Sequence, residues 1–181
     1  MVSSHGIPGL SLWIGPPKGT ALDNKLNATI SKYISETGVA QWGAHITLLG
    51  SVIDSPEQAA ARIADVVKIN NIKPFSVRLV DVVTKDLFFQ SVVAKAEETP
   101  ELMSFNNLLR NLYAPPSSEN YWPHLSLVYG NVDAARKAEI VREILDEGGI
   151  VDEIVKVGVV EIWNTEGELA DWKKVGSVIL G

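Results

Sequence analysis

GAHITLLG, residues 43–50, and WPHLSLVYG, residues 122–130, decide how this chain is read. Each carries a histidine, an apolar residue, a hydroxyl residue and another apolar residue: His45-Ile46-Thr47-Leu48 and His124-Leu125-Ser126-Leu127. In an extended strand, residues i and i+2 project to the same face. His45 and Thr47 therefore project together, with Ile46 and Leu48 turned the other way toward a core. The same holds for His124 and Ser126 against Leu125 and Leu127. The two phrases stand 79 positions apart and use two of the chain's three histidines. The third, His5, lies in an unpatterned N-terminal stretch and is expected to face solvent.

Working outward, apolar runs bounded by Gly, Pro and polar residues predict strands over Leu10–Ile14, Ala44–Val52, Phe75–Val83, Leu87–Ala96, Leu125–Tyr129, Ile154–Trp163 and Trp172–Leu180. Helical spacing predicts helices over Ala21–Thr37, Pro56–Ile69, Thr99–Tyr113 and Asp133–Glu147. Ser55-Pro56 and Thr99-Pro100 supply caps followed by proline at the first helical position, and Gly148-Gly149 supplies a stop. Shifted by 79, Leu10–Ile14 falls on Phe89–Val93, His45 on His124, Thr47 on Ser126 and Phe75–Val83 on Ile154–Ile162. The order strand, helix, histidine strand, helix, strand thus occurs twice. This predicts an α+β fold of two pseudo-symmetric lobes, each an antiparallel sheet with helices on its outer face and the active-site cleft between them. The whole of 1–181 reads as one bilobal domain, its halves roughly 1–85 and 86–181, with room for strand exchange between the lobes. Ala114–Asn120 (APPSSEN) is the best candidate for a mobile loop.

The bulk properties narrow the chemistry. An apolar fraction of 46% and a charged fraction of 21% suit a soluble globular protein. The absence of cysteine excludes disulfides, thiolate metal sites and a cysteine nucleophile. A net charge of −6 argues against a broad grip on long nucleic acid, but leaves room for a small anion in a pocket. The N-terminus lacks a secretion signal and no stretch approaches a membrane span, so a soluble, cytoplasmic protein with no membrane partner is expected.

Two imidazoles and two hydroxyls meeting at one cleft suit a phosphodiester. A neutral imidazole takes a proton from water and a protonated one gives a proton to the leaving oxygen. Histidine serves both roles because its ordinary pKa lies near 6.5. Hydroxyls donate to the non-bridging oxygens where charge develops. Two histidines without nearby Asp, Glu or Cys in ligand spacing make a poor zinc site, so neither metal nor cofactor is expected.

At these residues the sequence resembles the two-histidine (2H) phosphoesterase superfamily, whose signature is a pair of His-x-Thr/Ser motifs in two pseudo-symmetric lobes. More closely it is similar to the fungal and plant cyclic phosphodiesterases, through LWIGPPKGT (12–20), HITL (45–48), LFFQSVV (87–93) followed by TPELM (99–103), and WPHLSLVYG (122–130). The resemblance implies hydrolysis of ribose cyclic phosphates: ADP-ribose 1″,2″-cyclic phosphate to the 1″-phosphate, a by-product route of tRNA splicing, and nucleoside 2′,3′-cyclic phosphates to 2′-phosphates. It implies that His124 activates water, that His45 protonates the leaving ribose oxygen, and that Thr47 and Ser126 hold the phosphate. Many relatives have proline before the first histidine, as Pro123 stands before His124; here that residue is Ala44.

The resemblance also marks Tyr129 as a substrate contact, although strict alternation from His124 puts it on the opposite face. A bulge, or the strand end at Gly130, would turn it inward. Trp13, Phe88 and Phe89 lie on strands that the repeat places beside the histidine strands. Phe88 and Phe89 are expected to point to opposite faces, so at most one lines the cleft. Trp42 and Trp122 are rim candidates, and Lys18, Lys85 and Arg110 are candidates to meet a diphosphate. The expected partners are small cyclic phosphate nucleotides bound by a monomer. The resemblance to fungal relatives allows Golgi association. Two alternatives stand beside this reading: another 2H activity on RNA 2′,3′-cyclic or 2′–5′ ends, and a non-catalytic nucleotide-binding module in the same cleft.

Overall fold

The computed structural model describes residues 7–38, 42–114 and 120–181. His5 and most of the APPSSEN stretch lie outside the described residues. Among these, four α-helices and eight strands follow in the order β1 (Leu10–Ile14), α1 (Ala21–Thr37), β2 (Ile46–Val52), α2 (Pro56–Ile69), β3 (Phe75–Thr84), β4 (Val92–Ala96), α3 (Pro100–Tyr113), β5 (His124–Val128), α4 (Ala134–Glu147), β6 (Ile154–Val157), β7 (Val159–Asn164) and β8 (Lys173–Ile179). The fold is the α+β arrangement that the doubled pattern predicts.

The helix starts are set by side chains that satisfy otherwise unpaired backbone N–H groups. Thr20, Ser55, Thr99 and Asp133 each accept from the amide three residues on. Gly38, in the left-handed region at φ 66°, closes α1 by donating its N–H to the Ile34 carbonyl.

The strands form one antiparallel sheet in the order β6-β3-β4-β5-β2-β1-β7-β8. Its two central strands are the histidine strands. β3, from the first half of the chain, pairs with β4 from the second, and β7 from the second pairs with β1 from the first. The helices cross over in the same sense: α1 packs behind β5 and α3 behind β2. Each histidine strand is therefore backed by a helix from the other half of the sequence.

Two sequence expectations are corrected here. Ile154–Trp163 is not one strand. Its first part pairs with β3 and its second with β1 and β8, and the chain changes partners at Gly158. Because one residue joins strands near opposite ends of the sheet order, the sheet curls round until those ends meet. Likewise Leu87–Ala96 is not a continuous strand: Phe88–Gln90 forms a 3-10 turn and β4 starts only at Val92. The repeat is thus looser at its first strand than at the histidines.

The core lies between the sheet and the helices and includes Leu12, Ile14, Ile46, Leu48, Leu125 and Leu127. β2 and β5 are joined in ladder fashion at a single pair, Ile46 with Leu125, both fully buried. Ile46→Ala opens a cavity at this seam, and we expect it to cost about 2–5 kcal/mol. Chemical denaturation measures this directly; a loss under about 1 kcal/mol contradicts so central a place for the pair.

Candidate active site

Antiparallel pairing of Ile46 with Leu125 sets the site by register alone. Counting one residue either way along both strands puts His45 across from Ser126 and Thr47 across from His124. Each histidine therefore faces the other motif's hydroxyl residue, and the two imidazoles lie on a diagonal. Such diagonal neighbours stand about 7–8 Å apart in a regular ladder, the span of a phosphate with a group on either side. Ile46 and Leu125 point into the core, so all four polar side chains face the opposite, open side of the sheet.

Both imidazoles are held alike. His45 Nδ1 lies 2.8 Å from the Gly43 carbonyl and His124 Nδ1 lies 2.8 Å from the Trp122 carbonyl. A carbonyl only accepts, so Nδ1 must carry the proton in each ring. In the neutral form, Nε2 is then the atom with the free lone pair, ready to take a proton or to hand one on. Gly43, with φ 88°, makes the turn that brings its carbonyl under the ring. The Ala44 N–H donates to Asn27 Oδ1 at 2.9 Å, so α1 secures the start of this strand.

The site is aromatic. All five tryptophans of the chain flank the two histidine motifs. Trp13 stacks flat on His45, with ring centroids 3.6 Å apart. Its far neighbours are Trp163 and Trp172, at 4.4 and 6.3 Å. Trp42 packs edge-on to Tyr129 and against Trp172, and its Nε1 donates to the Leu169 carbonyl. Trp122 stacks on His124 at 5.0 Å and carries the Lys85 ammonium over its ring at 3.6 Å.

This burial shows in the acidities. His45 keeps part of its surface open to the cleft, yet loss of water around its ring, with Lys18 and His124 adding like charge, pushes its pKa from 6.5 down to about 4. His124 is also lowered, by burial first and then by Lys85. Both imidazoles are therefore neutral at pH 7. Burial opposes ionisation of Glu161, but bonds from Lys174 and Trp163 hold its carboxyl below the ordinary carboxylate range.

The candidates from the sequence divide as follows. A cavity of about 340 Å³ opens beside His45 and is lined by Lys18, Lys156, Glu161, Lys174 and Ser177. A second, of about 270 Å³, is shared by Thr47 and His124 and bordered by Lys85 and Arg110. Thr47 thus belongs with His45 in sequence and with His124 in space, as the register requires. The Ser126 hydroxyl donates to the Phe89 carbonyl at 2.6 Å. Beside it, burial pushes the Tyr129 phenol up and the Ser126 hydroxyl opposes that rise.

Tyr129 lies just past the end of β5, beside Gly130 at φ 107°, and is turned inward onto Ser126 and Phe88. Phe88 and Phe89 do not alternate, because the 3-10 turn replaces the expected strand. Phe88 is buried against Tyr129 while Phe89 stacks on Trp172, so both belong to the aromatic wall. Sequence reading missed Trp163, Trp172 and Glu161 as members of the site. Trp163 stands opposite Ser11, and Glu161 opposite Trp13, only because β7 returns to pair with β1.

The sequence model of the family described as "Cyclic phosphodiesterase-like protein" matches residues 8–180. The chain is 28% identical over 148 residues to a 2′,3′-cyclic-nucleotide 3′-phosphodiesterase of Phaeosphaeria nodorum, covering 74% of this chain and 77% of that protein. In structure it is similar to Escherichia coli LigT complexed with 3′-AMP, at TM-score 0.57 and 17% identity, covering 95% of this chain and 97% of that one. LigT complexed with NADP+ matches at TM-score 0.61 and 15% identity, covering 96% and 98%. TT0787 of Thermus thermophilus matches at TM-score 0.61 and 15% identity, covering 95% and 97%.

The depressed acidity of His45 has a sign that can be checked. Below about pH 6.5 the unfolded chain binds a proton on this ring, whereas the folded protein does so only near pH 4. Protons therefore favour unfolding across that window, and the contribution of His45 falls as the pH drops through it. We expect His45→Gln to lose less stability than the parent between pH 7 and pH 4.5 in denaturant melts. Parallel curves for the two proteins contradict the assignment.

Proposed function

This chain belongs to the cyclic phosphodiesterase-like family of 2H phosphoesterases, and we propose that it opens cyclic phosphates on ribose. Its substrates are nucleoside 2′,3′-cyclic phosphates, cut to 2′-phosphates, and ADP-ribose 1″,2″-cyclic phosphate, a by-product of tRNA splicing. It works as a monomer on small molecules. The observation that carries this reading is the matched pair of imidazoles, each with Nδ1–H on a backbone carbonyl, which leaves Nε2 as the nitrogen that can exchange a proton.

The phosphorus sits between the two rings. His124 Nε2 takes a proton from water as the oxygen attacks, and the bond to the ribose oxygen on the far side breaks. His45 Nε2 gives that oxygen its proton. Since burial keeps both rings neutral at pH 7, the acid takes its proton from solvent as the substrate binds: the phosphate's negative charge beside an imidazole favours the protonated form. Thr47 donates to a non-bridging oxygen. Ser126 joins it only after its hydroxyl turns away from the Phe89 carbonyl.

Phosphorus NMR of the opened products is the direct test, with 2′,3′-cyclic nucleotides and ADP-ribose 1″,2″-cyclic phosphate run against an oligonucleotide 2′,3′-cyclic end. We expect His45→Ala and His124→Ala each to lower kcat by about 10²–10⁴-fold. Thr47→Ala should cost on the order of 10–1000-fold, with Ser126→Ala at the low end because its hydrogen is already engaged. A chelator should leave the rate unchanged, and rate against pH should be bell-shaped. Full turnover by both histidine variants would end the proposal. Tight binding of a 2′-nucleotide without turnover of the cyclic form would instead favour a silent binding module.

A further inference from the structure

α4 turns Lys137, Ile140 and Ile144 toward the core, a spacing of i, i+3 and i+7 along one face. The first of these is out of place. An ammonium taken from water costs free energy unless a partner meets it, and Lys137 is only 5% exposed. Its Nζ reaches the connection between β3 and β4, where it donates to the Lys85 carbonyl at 3.0 Å and to the Asp86 carboxylate. α4 packs on both of those strands, so the ammonium ties the helix to the residues that join them. The Asp86 side chain stands almost wholly in water, where an ion pair adds little stability. An apolar residue would serve the helix as well; it is the connection that uses the charge.

Residues 85–91 bear on the active site at three points. The Lys85 ammonium lies over the Trp122 ring at 3.6 Å, and Trp122 both stacks on His124 and accepts its Nδ1–H. The Phe89 carbonyl accepts from the Ser126 hydroxyl. The Phe88 carbonyl accepts from the Gly130 N–H at 2.8 Å, just past Tyr129. The connection is also bonded to itself, the Lys85 N–H donating to the Gln90 carbonyl and the Gln90 N–H to the Leu87 carbonyl. Its first residue, Lys85, is the one that rests on Lys137.

Resting on the cyclic phosphodiesterase reading, we propose that Lys137 is a positioning residue: it holds the 85–91 connection so that the Lys85 ammonium stays over Trp122, beside the His124 imidazole. Lys137 lines neither cavity beside the histidines and acts only through Lys85. The charged and titratable groups around His124 are His45 of β2, Lys85, Lys95 of β4 directly opposite it, Arg110 of α3 and Tyr121 ahead of β5. After burial, Lys85 is what lowers the His124 pKa. A Lys85 that swings away lets the ring keep its proton to higher pH, which takes the base out of use.

Ring NMR of His124 against pH tests this without turnover. Lys137→Met keeps an apolar stem and removes the donor. It should raise the His124 pKa toward 6.5, as Lys85→Met does, and add nothing once Lys85 is gone. Lys137→Arg keeps a cationic donor and should restore the parent value. Asp86→Ala loosens the same tie from the surface, without touching the core, and should move the titration the same way. On a nucleoside 2′,3′-cyclic phosphate, Lys137→Met should lower kcat/KM about fivefold in the parent and less than about twofold in Lys85→Met. It should also move the acid limb of the rate profile to higher pH. A His124 titration unmoved in both Lys137→Met and Asp86→Ala overturns the proposal. So do equal kinetic losses in the two backgrounds, which would make Lys137 a support of α4 alone. A parent protein that opens no cyclic phosphate, while the titration shifts as stated, fails the functional reading and leaves the tie to Lys85 standing.

Discussion

One backbone pairing governs the rest of the molecule. Ile46 and Leu125 bind the two central strands edge to edge, and every feature of the site follows from which residues flank them. Had the register slipped by one, one of the two histidines would face the helices while the other stayed in the cleft. The apolar residues on the core side prevent this, since Ile46, Leu48, Leu125 and Leu127 are all fully buried. The crossed packing of α1 behind β5 and α3 behind β2 makes the arrangement reciprocal. Neither half of the chain can complete its own histidine strand without the other.

The aromatic surroundings then decide the chemistry. Trp13 against His45 and Trp122 against His124 hold the rings in place and strip them of water. Dry imidazoles resist protonation, and Lys18 and Lys85 increase that resistance. On the proposed function, the lysines that disfavour imidazolium would also draw in the anionic substrate, so binding and proton loading would be coupled through the same charges.

Much of this was legible in the sequence because it is written locally. Alternation in HITL and HLSL gives the faces, and the caps at Ser55 and Thr99 give helix starts that the structure matches to within a residue. The strand over Leu10–Ile14 was equally clear. What stayed hidden depends on partners far away in the chain. Gly158 breaks a run of apolar residues only because Val157 pairs with Phe75 while Val159 pairs with Ile179. Trp163 and Glu161 read as an ordinary strand end until β7 returns to β1. Phe88 and Phe89 look alternating in a one-dimensional reading, and the 3-10 turn that overrides this is fixed by the Gln90 amide bonding to the Leu87 carbonyl.

The account stands on two imidazoles of the same tautomer flanking one phosphorus atom. Nitrogen-15 NMR of the ring nitrogens, recorded at pH 7 with and without a nucleoside 2′-monophosphate, reads this directly. Both His45 and His124 should appear neutral with the proton on Nδ1 in the free protein, and the nucleotide should shift both Nε2 resonances and protonate at least one ring. A proton on Nε2 in the free protein, or a response confined to one histidine, would contradict a shared phosphate site.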